Sequence, residues 1–355
     1  MRSLFIIFIS TFSLFAQDKH YYFYNPDARI GSEYYFNPLN MILNGSYDIL
    51  RNGAHSKSFT EINYEKGMNN VWWNISHPLK AIDQYGWKYF LSEEVFPVSI
   101  RKDEAQYFPN YFHHAIGGGM LYVKTAEWYD YHNFPYPKTA AFLSSSIYQF
   151  LNESIENDSY QGVNTDPIAD LLIFNPLGYI LFEFDVVKEF FSKTAPLHDW
   201  SLQPIIDPRN NFMENAGQQF VLKYDPGFFE NYSFFWYWGI SGIAGLTYSQ
   251  DKKHNYSFGA GQVVNKLKEN VRRHSRLVTP ELDGALGFFY DIDNSLVASM
   301  IVTGPGLYNA RVNIYPGYWD LGFLSPGFYL GFGEWDKFIA GISFVHIPVG
   351  LGIAK

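Results

Sequence analysis

The chain has 355 residues, 26 Lys and Arg against 35 Asp and Glu for a formal charge of −9, and no cysteine. That charge argues against nucleic acid as a partner, and the missing thiols exclude disulfides, thiolate metal sites and a lipid-modified N-terminal cysteine. Aromatic residues reach 20% while charged residues make up only 17%, which suits the aromatic- and glycine-rich strands of an outer-membrane β-barrel, with a soluble aromatic-rich β-protein as the alternative.

The first 16 residues carry Arg2 and the apolar run LFIIFISTFSLF, and they end at Ala16. Leu14 and Ala16 fit the −3 and −1 positions of a secretory cleavage site, so the sequence predicts a signal peptide cut before Gln17. An anchor would need about 20 apolar residues. Secreted eukaryotic proteins of this size usually carry disulfides. The expected location is therefore the outer membrane of a Gram-negative cell, with the periplasm as the alternative. The Asn-x-Ser triplets at Asn44, Asn74, Asn152, Asn157, Asn231 and Asn255 are then read as chance. Residues 17–70 read as extended and irregular, with turn signals at Asn25-Pro26, Asn37-Pro38 and Arg51-Asn52-Gly53 and one short helix over Pro38–Leu50.

Helical spacing dominates residues 71–192. A helix opens around Trp72, Trp73 and His77-Pro78, with Leu79, Ile82, Trp87 and Phe90 on one face. The next runs from Pro109 to Tyr131 and contains His113, His114, the run Gly117-Gly118-Gly119, and Glu127-Trp128. Each glycine costs a helix about 1 kcal/mol relative to alanine, so close approach of another backbone is expected there. A third helix runs from Pro137 to Asn157, and its Ser144-Ser145-Ser146 run is small enough to pack against the glycines. It ends in Glu153, Glu156 and Asp158, at the pole where the helix dipole disfavours acids. A solvated end is one explanation; a buried partner such as His113 or His114, or a bound cation, is the other. Asp166-Pro167 then reads as N-cap and first residue of a helix to about Phe191, with Asp170 in its first turn. Asn175-Pro176 should kink it, and its apolar run is too short to span a bilayer.

Residues 193–215 read as a linker, and period-2 alternation takes over from Ala216. It runs through Ile240–Tyr248, Asn255–Val263, Ala285–Ile292, Ser295–Val302, Leu307–Tyr315 and Phe338–Ile353, separated by turns. The expected fold is α+β: an N-terminal helical module, then a C-terminal antiparallel β-barrel over 216–355 with roughly 8–10 strands, embedded in the membrane. The chain ends in Ile-Ala-Lys, which departs from the aromatic end usual in such barrels. Lys266, Lys268, Arg272, Arg273 and Arg276 cluster around His274. They read as a solvated hairpin loop or as a contact for lipid phosphates.

One set of motifs carries a resemblance. Asn110-Tyr111, His114-x-x-Gly117-Gly118-Gly119-Met120, Glu127-Trp128-Tyr129, Asn152-Glu153-x-x-Glu156-Asn157, Asp166-Pro167-x-x-Asp170-Leu171, Asn175 and Gly178 together resemble an uncharacterised family of Gram-negative envelope proteins. In that family a helical module precedes an outer-membrane β-part. The order His, Glu, Asp-x-x-x-Asp is more distantly similar to VanZ-like envelope proteins. The resemblance implies location and architecture, and brings no activity with it.

Three functions follow. The first is an outer-membrane barrel whose helical module plugs, braces or binds. The second is an envelope enzyme acting on lipid or glycan through His114, Glu153, Glu156, Asp166 and Asp170, by acid–base chemistry or with a divalent cation. The third is a soluble periplasmic binding protein with a β-sandwich. No H-E-x-x-H, E-x-x-H or G-x-S-x-G motif is present, so the enzyme is the alternative and not the first reading. No motif implies a cofactor.

Overall fold

The computed structural model describes residues 20–52, 58–96, 111–239, 241–251, 253–272, 275–304, 307–334 and 336–355, and of residues 51–52 and 265–280 the backbone alone. The predicted signal peptide, Gly53, the helix start at Pro109, Asn110, Arg273, His274, and the side chains of Lys266, Lys268, Arg272 and Arg276 lie outside the described residues.

The helical part forms where prolines and asparagines start helices. Asn37 Oδ1 accepts Asn40 N at 2.9 Å and starts the Pro38–Tyr47 helix, which passes into a 3₁₀ turn over Asp48–Asn52. The helix expected around Trp72–Phe90 is broken at His77 and again at Gly86, into Tyr64–Ser76, Pro78–Tyr85 and a short turn Trp87–Tyr89 that widens into a π-type turn over Phe90–Val95. His113 and His114 stand in a wide π-type turn, Tyr111–Gly117, that leads into the Gly118–Tyr131 helix. The Pro137–Asn157 helix forms as expected. The helix expected from Asp166 to Phe191 is interrupted. Asp166–Ala169 is followed by a π-type turn over Asp170–Phe174 and by a helix over Asn175–Leu181. Pro176 lacks the N–H that a regular helix would use, and the widened turn absorbs the loss. Thr165, not Asp166, occupies the N-cap position. No helix of the described residues is long and apolar enough to cross a membrane.

The glycines allow close packing, but not against serine. Added Cβ atoms would meet the Phe220 ring at Gly117, and Phe182 Cδ2 at 2.6 Å and Gly178 O at 2.8 Å at Gly119. On the facing helix, a Cβ on Gly178 would meet Ala115 O at 2.6 Å. Gly118 has only ordinary contacts, its nearest neighbour being Gln149 Nε2 at 3.6 Å. Ser144 instead bonds the Tyr129 hydroxyl at 2.8 Å.

The remainder is a 13-stranded, mostly antiparallel sheet; ten of its strands fall within 216–355, inside the range expected there, and three precede it. Its strands are β1 Leu197–Asp199, β2 Ile205–Asp207, β3 Phe212–Glu214, β4 Gln219–Tyr224, β5 Tyr232–Gly239, β6 Ser241–Ser249, β7 His254–Arg272, β8 Ser275–Ile292, β9 Ser295–Thr303, β10 Ala310–Ile314, β11 Pro326–Phe332, β12 Phe338–Phe344 and β13 Ile347–Ala354. The segment read as a linker thus carries β1–β3, and the run Phe338–Ile353 is two strands. The order is β1-β4-β5-β6-β7-β8-β9-β10-β11-β12-β13-β2-β3. The stretch 197–207 pairs through β1 with β4 and through β2 with β13, the second pairing being parallel. The basic segment expected as a loop lies mainly on paired backbone: β7 and β8 continue past their neighbours as a two-stranded arm, Arg272 opposite Ser275.

One face of the sheet encloses Tyr35, Trp200, Tyr237, Phe289, Leu296 and Tyr315. The helices rest on β4 and β5 through Met120, Leu121, Tyr148 and Phe182 against Phe220 and Trp238.

The glycine geometry makes a differential expectation. Gly119→Ala and Gly178→Ala should each destabilise by about 1–3 kcal/mol, whereas Gly118→Ala should be neutral or stabilise by up to about 1 kcal/mol. Thermal melts of the three variants check it, and equal melting temperatures would refute the close contact.

Candidate acid and histidine centre

An asparagine network sets the position of the centre. Asn70 Nδ2 donates to Asn157 Oδ1 at 2.8 Å, Asn164 N donates to Asn74 Oδ1 at 3.0 Å, and Asn157 Nδ2 donates to Tyr160 O at 3.0 Å. These bonds fix the loop 158–165 against the Tyr64–Ser76 helix and deliver Asp166 beside the end of the Pro137–Asn157 helix. Asn74 and Asn157 are therefore buried structural residues. Asp158 belongs to the same framework, its Oδ1 accepting Asn63 N at 3.0 Å.

Within this framework Glu153, Asp166 and Asp170 each offer a carboxylate oxygen, all within 4.8 Å of one another. Glu153 and Asp170 are buried and Asp166 is half-buried. Asp170 Oδ2 lies 3.1 Å from His114 Nε2, and His114 Nδ1 lies 3.0 Å from Asn175 Oδ1. Burial alone would lower the His114 pKa, but Asp170 and Asn175 raise it above the ordinary value. The charged imidazolium then donates from both nitrogens. Its neighbour His113, 5.3 Å away ring to ring, has no such partner among the described residues, and burial pushes it down to about 3.

Glu153 and two neighbouring acids, Glu94 and Asp48, are held toward their neutral forms. Burial, followed by the charges of Asp166, Asp170 and Glu156, raises Glu153 well above the ordinary range, and it hydrogen-bonds to Asp170. Glu94 is a further member, with Oε1 accepting Thr165 Oγ1 at 3.2 Å. Burial and then Asp170 push it up to about 8. Asp48 stands at the edge, where Asn152 Nδ2 donates to its Oδ1 at 2.6 Å. Burial pushes it up to about 7, against the pull of Asn152.

The arrangement has two chemical capacities. A neutral carboxylic acid, a carboxylate and an imidazolium in sequence can hold and pass a proton. With the protons removed, Glu153, Asp166 and Asp170 supply the hard oxygen donors that a divalent cation takes.

Of the residues singled out from sequence, His114, Glu153, Asp166 and Asp170 come together. Glu156 is half-buried and acts through its charge on Glu153 and Asp48. His114 meets Asp170, not Glu153, so the aspartate that a helix start seemed to explain is the hub. Glu94 and Asp48 were not singled out. Glu94 is an acid between the apolar Phe90 and Val95 on one short segment, and that enclosure is the one signal that could have found it. Compared with protein-family models, with curated proteins and with solved structures, the chain matches none.

Asp48 gives a pH prediction. Its pKa is raised on folding from 3.8 to about 7, so the folded state holds the proton more tightly. The stability this contributes is complete below the unfolded value and is lost as pH rises through about 7. Asp48→Asn should flatten the decline and melt higher than wild type at alkaline pH, with little difference under acid conditions. Parallel melting curves at every pH would refute the burial of this carboxyl.

Proposed function

We propose that the protein is an outer-membrane β-barrel protein with a structural or binding role, its helical module seated on β4 and β5. The observation that carries this reading is the register of the outward face. Tyr232, Tyr248, Tyr256 and Tyr290 are direct cross-strand partners along β5–β8. Two residues along, about 7 Å away at strand rise, Phe234, Leu246, Phe258, Phe288, Met300 and Val312 form a second row. A tyrosine row beside an apolar row is the pattern of a membrane interface next to hydrocarbon. The opposite face sets polar groups among its aromatic core: the Thr247 and Ser257 hydroxyls bond at 2.7 Å, and Lys223 pairs with Asp291 at 2.7 Å, beside Tyr237 and Phe289. A water-soluble monomer rarely exposes a contiguous apolar row of this kind.

Closure of the barrel belongs to the same proposal. The segment 197–207 pairs with β4 at one end and β13 at the other, and in this reading it is the seam. The helices support the location too: Phe142, Leu143, Ile147, Leu177, Ile180 and Phe184 are all exposed. The envelope-family likeness of the His114–Gly178 motifs is in keeping with it. Membrane lipid is then the partner, and contact of the basic arm with lipid phosphate remains part of the proposal.

A second reading is favoured by one observation, the His114–Asp170 pair with Glu153 and Asp166 beside it. It makes the protein an envelope enzyme acting on lipid or glycan, with a proton relay or a bound divalent cation at this centre. Both readings are compatible in one molecule.

Heat-modifiable gel migration and detergent-dependent extraction are expected of the purified protein; full solubility without detergent would sink the barrel. Phe258 is 51% exposed, so Phe258→Arg would be harmless in water but should cost about 2–4 kcal/mol, and impair assembly, if the site faces hydrocarbon. For the centre, elemental analysis should find near-stoichiometric divalent metal that a Glu153→Ala, Asp170→Ala double variant loses. Metal absent from both proteins would leave the cation form of the second reading without support.

A further inference from the structure

Away from the acid and histidine centre, a cavity of about 530 Å³ opens where the N-terminal segment, the end of the Gly118–Tyr131 helix and the turn at Val345-His346 meet. Tyr24, Tyr34, Phe36, Trp128, Tyr131 and His132 line it. The rings brace one another: Tyr24 stands 5.7 Å from Tyr131, and Trp128 stacks on His132 at 3.9 Å. Glu33 is also in the wall and is only 7% exposed. Its Oε1 accepts Lys124 Nζ at 2.9 Å, but its enclosed Oε2 accepts no hydrogen bond from any described residue.

The local charges do not balance. Lys124 is shared between Glu33 and Asp199, at 2.9 and 3.4 Å. Asp199 has further support from Ser201, whose N and Oγ donate to Oδ1 at 3.0 and 2.5 Å. Glu33 is left as the under-satisfied acid, and a buried carboxylate without full compensation is costly. It can take a proton or meet a cation. A hard metal ion would want several oxygens, and this recess offers one carboxylate among ring faces. That is the environment an organic ammonium prefers. The fold already uses the same chemistry once: the Lys124 ammonium sits between Glu33 and the Phe36 ring, 4.4 Å from its centroid. Arg29 lines the same cavity and is exposed, with Nη1 donating to Pro26 O and Ala28 O at 2.9 Å.

We propose that this recess is a binding site for an organic ammonium group, taken by the under-satisfied Glu33 carboxylate and the surrounding ring faces, with Arg29 receiving the anionic end of a zwitterionic ligand. Burial, then Tyr131 and Glu33, push the Tyr24 hydroxyl up to about 12, so it remains a neutral donor in the wall. A primary amine in solution and the headgroup of an amine-bearing phospholipid share this chemistry. The site does not depend on the chemistry assigned to His114 and Asp170.

The test is calorimetry on the full chain in detergent, with ethanolamine, tetramethylammonium, phosphoethanolamine and inorganic phosphate as probes. The ammonium probes should bind and inorganic phosphate should not. Glu33→Gln should weaken them about tenfold, the scale of one lost charge contact, and should also lower the melting temperature, because it removes one partner of the buried Lys124. Arg29→Ala should weaken phosphoethanolamine and leave ethanolamine untouched. Should Glu33→Gln fail to fold, Tyr131→Ala at the exposed side of the cavity must weaken the same probes. Vesicles of phosphatidylethanolamine that displace phosphoethanolamine would assign the ligand to lipid; failure to displace it would assign it to a free amine. No binding of any ammonium probe, or binding that Glu33→Gln and Tyr131→Ala both leave intact, would overturn the proposal.

Discussion

Lys124 is the point on which the two halves of the molecule depend. It has no solvent exposure, and its ammonium joins the Gly118–Tyr131 helix to Glu33 at the N-terminal side and to Asp199 on β1. Removing one partner of a buried pair strands the other charge, at a cost of about 3–5 kcal/mol. The helices and the sheet are therefore not independent bodies that happen to touch. A second buried lysine repeats the device inside the sheet: Lys223 donates to Asp291 and Asn294 at 2.7 and 3.0 Å and sits over the Trp200 ring. Glu127 fixes the entry to the module as well, its carboxylate accepting the backbone N–H groups of Tyr22, Phe23 and Tyr24. In each case a charge is withdrawn from water and oriented by the chain that surrounds it.

How much of this could be read from the residues alone varied with the element. Strands β6 to β9 were legible because one face is small or polar and the other apolar, as in Thr247 beside Leu246 or Ser257 beside Phe258. Strand β5 was not, because Phe235 and Tyr237 point inward while Phe234 and Trp236 point outward, so both faces are aromatic and the alternation vanishes. Strands β1 to β3 are three residues each, too short for any period to register, and tertiary pairing alone defines them. The division between β12 and β13 was hidden because Val345-His346 carries no turn residue. The helix starts at Pro38 and Pro137 were legible from covalent geometry.

The centre was half legible. Glu153 stood out because its position on the helix is electrostatically wrong, and the structure gives the reason: it faces inward to Asp166 and Asp170 rather than outward to water. Asp170 was masked by a sufficient local explanation, since an acid in a first helical turn needs no other. Here the chain widens into a π-type turn at that residue, which re-aims the side chain toward His114, and no sequence rule signals such a turn in advance. Asn70 and Asn74 were invisible for a different reason. Their role is to hold a loop distant in sequence, and a polar residue on a helix gives no hint of which backbone it will meet.

The parallel pairing of β13 with β2 has a consequence for how the chain reaches this state. Gly350 N donates to Pro204 O at 2.8 Å, and Ala354 N reaches Asp207 Oδ2 at 3.3 Å. These bonds join a segment that follows the helical module to the last strand of the sheet. Contacts so distant in sequence are slow to form because loop closure comes before any gain from pairing. Until then the free edge of β2 stands ready to pair with another chain. Assembly is thus timed from the C-terminal side: the intermediate that most needs protection is the one in which every hairpin from β4 to β13 has formed and the pairing of β13 with β2 has not.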